Sequence, residues 1–190
     1  YFGNLRKLDL QESKIRSLES LAALSKLEEL SLSSTPVSDL KPLKDLRRLR
    51  KLEIFKTKVT SLDPLSNLSH LEYINCNETK ITNLNGLKNL KNLELIYASN
   101  TEIATLAPLA YHRKLYELTF SNTEVASLDP LRRLPNLHII IATNTKIDSL
   151  DPIMFLQKLK TLYIRDSQVS EETLHNFHKT HPACETDYNW

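Results

Sequence analysis

His175, His178, His181 and Cys184 stand three residues apart near the carboxyl end, and all are side chains that bind zinc. Pro182 interrupts any helix before Cys184, so the four need not point the same way. The simpler expectation puts His178 and His181 at partly buried helix positions and makes Cys184 a small core residue. No metal is assigned. A second cluster is basic: Arg47, Arg48, Arg50 and Lys51, continued at the same edge by Lys91, Arg113, Lys114 and Lys158. Such a run could meet phosphate or an acidic partner. A formal net charge of +2 and interleaved acids such as Asp45 and Glu53 favour a solvated loop edge instead, and no nucleic acid is expected. No nucleophile elbow, HExxH or CxxC occurs. Gly3 and Gly86 are the only two glycines, too few for a phosphate-cradling loop. Neither catalysis nor a cofactor nor a small-molecule substrate is expected.

The elements that would position these residues are set by a repeat. Leu5, Leu27, Leu49, Leu71, Leu93, Leu115, Leu137 and Leu159 recur every 22 residues. Counting each as position 1, position 4 is Leu or Ile from Leu8 to Leu162, and position 6 is apolar from Leu10 to Ile164. Position 11 is always Ile or Val, and positions 14, 17 and 20 are largely leucine, with His112 the odd member of position 20. Positions 4 and 6 alternate with polar neighbours, which is strand periodicity. Positions 14, 17 and 20 suit a 3₁₀ or short α turn on the opposite side. Asp63-Pro64, Asp129-Pro130 and Asp151-Pro152 place a capping residue and a helix-compatible proline there. A single repeat cannot bury its apolar side, so stacking makes the core.

The segment Leu115 to Asn136, LYELTFSNTEVASLDPLRRLPN, resembles bacterial leucine-rich repeats of the internalin-like type, and the likeness runs from Leu5 to about Ser170. It implies an α/β, right-handed leucine-rich-repeat solenoid, or horseshoe. The parallel β-sheet would line the concave face, with 3₁₀ or short helices on the convex face. Where that family carries asparagine at position 9, this chain has Thr35, Thr57, Thr79, Thr101, Thr123 and Thr145, with Ser13 and Ser167 at the ends. Their hydroxyls are expected to satisfy loop backbone groups.

Three stretches follow. Residues 1–4 are the end of a preceding partial repeat, because Phe2 falls at position 20 of one. Residues 5–169 are the solenoid. Residues 170–190 form a capping helix and strand: Ser170 is a ready N-cap, Glu171 and Glu172 suit the first turn, and Leu174 and Phe177 make an apolar face. An open first repeat makes an upstream domain in the same chain an expectation. No apolar run approaches the roughly 18 residues of a membrane helix, and the compartment stays open.

Positions 3, 5 and 7 should point out of the concave sheet. They are polar in the first two repeats. From the third onward they supply Phe55, Tyr73, Asn75, Leu95, Tyr97, Thr119, Ile139, Ile141, Tyr163 and Arg165. A contiguous patch of this kind marks an interaction site, and tyrosine and arginine are common anchors. The expected function is therefore protein recognition on the concave face, with no membrane contact. Alternatives are a scaffold or regulatory subunit of an enzyme such as a phosphatase, or the targeting domain of a toxin or effector with its catalytic domain upstream. The phosphatase-regulating relatives favour asparagine at position 9 and lack the regular Asp-Pro.

Overall fold

The strand signal at position 4 translates into strands only three residues long. The computed structural model describes residues 3–188, so the expected place of Phe2 lies outside the described residues. Eight strands occupy positions 3 to 5: β1 (Lys7–Asp9), β2 (Glu29–Ser31), β3 (Lys51–Glu53), β4 (Tyr73–Asn75), β5 (Leu95–Tyr97), β6 (Glu117–Thr119), β7 (Ile139–Ile141) and β8 (Thr161–Tyr163). A ninth, β9 (Glu185–Thr186), follows the cap, and all nine pair in parallel in chain order. From β1 to β8 each residue faces its counterpart 22 positions on, so side-chain columns run along the sheet. The result is an open parallel sheet with short 3₁₀ turns behind it: a leucine-rich-repeat solenoid with the sheet on its concave face.

The core is a stack of identical layers. In the second repeat Leu27, Leu30, Leu32, Val37, Leu40, Leu43 and Leu46 are each exposed by 1% or less. Burying one such side chain contributes about 1.5–3 kcal/mol. The first layer is looser, with Leu5, Leu8, Leu10 and Ile15 only partly buried.

The 3₁₀ turns occupy positions 15 to 17, from Glu19–Leu21 to Asp151–Ile153. This corrects the expected capping. Asp63, Asp129 and Asp151 are the first residues of their turns, and the capping position is the buried leucine before them, which has no polar side chain to offer. The cap comes from position 13 instead. Ser61, Ser127 and Ser149 each accept the backbone N–H two residues on at 3.1 Å, and Asp39 and Asn83 do the same through carboxylate and amide oxygens.

Two columns shape the corner after each strand. Position 8 is left-handed in every repeat, with φ between 52° and 59° at Glu12, Ser34, Lys56, Glu78, Asn100, Asn122, Asn144 and Asp166. Not one of these is glycine. At position 9 the threonines behave as expected: Thr35, Thr57, Thr79, Thr101, Thr123 and Thr145 are buried and donate to the position 6 carbonyl of their own repeat at 2.6–2.9 Å.

Helix α1 (Glu171–Thr180) closes the far end, with Ser170 Oγ accepting from Thr173 N at 3.2 Å and Leu174 and Phe177 buried. No helix among the described residues is long and apolar enough to cross a membrane.

Candidate functional site: the concave sheet

Outward residues of β1 to β3 are charged and pair among themselves. Lys7 Nζ lies 2.7 Å from Glu29 Oε1, and Lys51 Nζ lies 2.6 Å from Glu53 Oε1. Glu53 thus neutralises Lys51, as its place in the sequence suggested, Arg50 pairs with Glu72 at 2.9 Å, and Arg47 and Arg48 are left without a salt bridge among the described residues. With Asp9, Gln11 and Ser31, these groups line a polar hollow of about 340 Å³.

From β4 to β7 the surface changes character. Tyr73 and Tyr97, adjacent across β4 and β5, meet edge to face with centroids 5.4 Å apart and planes at 84°. Such a pair holds both rings in fixed orientations. Lys51 Nζ sits 5.0 Å from the Tyr73 centroid and closes the aromatic patch on the charged side. Leu95 and Ile139 flank Glu117 in register on the neighbouring strands, and Ile141 lies beside Thr119. Burial, together with the Glu117 carboxylate, pushes the Tyr97 phenol up to about 12. Tyr97 is therefore a neutral hydrogen-bonding group at any ordinary pH. Tyr73, Leu95, Tyr97, Ile139 and Ile141 are all half-buried, with the rest of each side chain open to the concavity.

Other expected members behave differently. Thr119 is buried, and its Oγ1 accepts from Ser99 Oγ at 3.4 Å, so it is part of the floor. Asn75 is half-buried and turns back on its own strand, its Oδ1 accepting Asn77 N–H at 3.1 Å. Phe55 is half-buried at the charged border. Tyr163 and Arg165 are engaged by the C-terminal strand: the phenol donates to Glu185 Oε1 at 2.5 Å, and the guanidinium donates to Asp187 O at 2.6 Å. The structure thus brings five of the ten residues together as an open patch and leaves the others at its border or beneath it.

Position 7 does not project freely, contrary to the alternation argument. Asn77, Ser99 and Ser121 each accept the backbone N–H of the next repeat's position 7, at 2.6, 3.0 and 3.1 Å. Beyond position 6 the chain leaves the pleat, and these short polar side chains replace the missing ladder bonds.

At the cap, His181 is buried and stacked on Phe177, centroids 4.4 Å apart and planes 4° from parallel, with Nδ1 2.9 Å from Thr180 Oγ1. Burial pushes the Cys184 thiol up to about 11. Among the described residues no three of His, Cys, Asp and Glu converge to hold a metal.

A family model described as leucine rich repeats, in two copies, matches residues 3–45 and 47–89. The crystal structure of an internalin C2 from Listeria monocytogenes superposes on 91% of this chain and 77% of its own, with a TM-score of 0.87 and 27% identity. The chain has the leucine-rich-repeat fold and is similar to that internalin. A second internalin of Listeria monocytogenes (inlF) matches with a TM-score of 0.79 and 23% identity over 97% of this chain, which spans 61% of that one. The repeat ectodomain of a plant receptor kinase from Arabidopsis thaliana shares the fold, with a TM-score of 0.77 and 15% identity over 88% of this chain and 22% of its own. No curated protein matches the sequence. The internalin-like repeat is a scaffold typical of protein–protein interaction, and here it presents a rigid tyrosine pair beside an aliphatic strip.

Among the described residues, sequence reasoning passed over three exposed aromatic side chains on other faces: Tyr111 at 71%, Phe155 at 75% and Tyr116 at 41%. Tyr111 and Phe155 share position 19, a column otherwise filled by Ala23, Asp45, Asn67, Asn89 and Arg133. That break in a polar column was the available signal.

Proposed function

We propose that the chain is a protein-recognition module whose partner binds the concave sheet, centred on Tyr73, Tyr97, Leu95, Ile139 and Ile141. Phe55, Asn75, Tyr163 and Arg165 frame that centre, and Thr119 supports it from below. The carrying observation is the change of surface at β4. The first three strands pair their own charges, while the next four leave aromatic and branched side chains half-open in fixed register. Desolvated tyrosines at the centre of a patch with a polar border are the arrangement in which a few residues supply most of the binding energy. The plant receptor ectodomain that shares the fold was solved in complex with Casparian strip integrity factor 2, which supports ligand capture by this architecture.

The test is affinity capture from cognate lysate by wild type and by a Tyr97→Asp, Ile141→Asp double variant, after circular dichroism confirms that both are folded. A partner held by wild type and lost by the variant supports the concave site. Truncating one anchor should weaken it by about 30-fold, corresponding to the 2 kcal/mol of a hot spot. A partner held equally by both places recognition elsewhere.

A further inference from the structure

The corners that lead from each 3₁₀ turn back to the next strand carry a one-sided charge. Residues 22–28 and their equivalents to 154–160 hold thirteen lysines and arginines against four acids, Glu28, Asp45, Glu72 and Glu94, and eight of these cations fall in residues 23–26 and their equivalents, where Asp45 is the one acid. The corners on the other side of the sheet, residues 12–16 and their equivalents to 144–148, hold six bases against five acids. A chain with a net charge of +2 therefore concentrates its positive field along one edge. Among the described residues none of those eight cations joins a salt bridge. Their polar contacts are with neutral groups, such as Lys114 Nζ to Asn92 Oδ1 at 2.8 Å and Lys158 Nζ to Asn136 Oδ1 at 2.7 Å.

Tyr111 and Phe155, the two most exposed large apolar side chains among the described residues, lie on this same edge. Lys91 Nζ sits 5.8 Å from the Tyr111 centroid. Burial and the neighbouring Lys88 hold the Lys91 ammonium below the usual lysine range, as expected of a cation without a counter-ion. On its other side Tyr111 forms a shallow hollow with Ala110, Pro130, Arg132 and Arg133. Asp129 lines the same hollow but is already bound to Arg132 at 2.9 Å.

We propose that this edge, from Lys91 to Phe155, is a second docking surface, and that it receives an acidic amphipathic helix of a partner protein. Tyr111 and Phe155 are two repeats apart, about 10 Å at the strand spacing of roughly 4.8 Å. Apolar anchors seven residues apart on a helix are separated by about 10.5 Å. Carboxylates flanking those anchors would meet Arg113 and Arg133, which present planar forks suited to them. A single nucleic-acid strand fits less well. Stacking platforms need bare aromatic faces at successive bases, whereas here Arg133 stands between the two rings in their column and Lys91 lies over one of them. This surface is independent of the concave reading and shares no residue with it.

The test uses a displayed library of 18-residue helices with a fixed acidic face and randomised apolar positions, panned on the intact chain. Three proteins are compared: wild type, Tyr111→Ser with Phe155→Ser, and Arg113→Glu with Arg133→Glu. All four positions are exposed, so the variants keep the fold. The expected result is enrichment of helices with apolar anchors seven apart, each binding at least tenfold more weakly to both double variants and equally to Tyr97→Asp. Several results would overturn the proposal. These are no enrichment, enriched helices that bind either edge variant as well as wild type, or a 20-nucleotide single strand or anionic vesicles binding the edge more tightly than the enriched helices.

Discussion

Replacing Glu78 by asparagine should stabilise the chain. Glu78 holds φ at 54°, a conformation that costs an L-residue about 1–2 kcal/mol and that asparagine tolerates better than glutamate. Recovering half of that cost is worth about 0.5–1 kcal/mol. The column offers a second gain, because the asparagines at this position already bond to one another. Asn122 Nδ2 donates to Asn100 Oδ1 at 3.0 Å, and Asn144 Nδ2 donates to Asn122 Oδ1 at 2.8 Å. Asparagine at 78 extends that ladder by one rung, contributing about 0.5 kcal/mol at an exposed site. Together the two gains amount to about 1–1.5 kcal/mol, or a Tm increase of about 2–6 °C in a chain of this size. Scanning calorimetry with matched urea melts measures it, with Glu102→Asn, two columns away and outside the left-handed region, as the control. If Glu78→Asn gains no more than that control, backbone strain at position 8 is not a reservoir of stability and the reasoning fails.

Two further outcomes follow from the packing. Position 20 holds His112, fully buried, with Nδ1 3.2 Å from Leu109 O and Nε2 3.0 Å from Leu87 O. Burial and nearby Lys91 hold its pKa below 6.5, against a smaller upward pull from the two carbonyls. The unfolded chain therefore binds the proton first, and stability present above about pH 6.5 is lost as pH falls below it, with a slope of at most about 1.4 kcal/mol per pH unit. Urea melts of wild type and His112→Leu at pH 7 and pH 5 should show the gap between them shift in favour of leucine at the lower pH. A Cβ added at Gly86 would lie 1.9 Å from Leu62 O and 2.2 Å from Leu62 C, both backbone atoms of the preceding turn. Gly86→Ala should therefore cost about 1–3 kcal/mol as the third and fourth turns are forced apart, a lowered urea midpoint being the readout.

The solenoid was legible because its evidence is redundant: eight leucines at one interval fix the register, and any one of positions 4, 11 or 14 would have sufficed. The threonine column was legible for the same reason. Capping was misplaced because Asp-Pro is a sound N-terminal signal for a helix, whereas here the Asp is already the first residue of the turn and the capping position before it is a buried leucine. Position 7 was misread because period-2 alternation describes a strand, and these strands end at position 5. Tyr163 and Arg165 had intramolecular partners that no local pattern announces, since Glu185 and Asp187 arrive by way of the capping helix. The basic edge was seen as a run of residues, but the run does not show which of its members stay unpaired: Arg50 and Lys51 are taken by Glu72 and Glu53, whereas Arg47 and Arg48 join no salt bridge among the described residues.

The threonine hydrogen bonds have a consequence for how such chains change length. Each closes on a carbonyl three residues earlier in its own repeat, so no repeat relies on its neighbour to satisfy that hydroxyl. A 22-residue unit can be duplicated or lost without stranding a buried threonine hydroxyl, and the columns on either side shift by one rung. The tyrosine pair and the aliphatic strip would then move apart or together in steps of one strand. An ancestral gene could in this way resize its recognition surface by unequal crossing-over while each surviving unit stays whole.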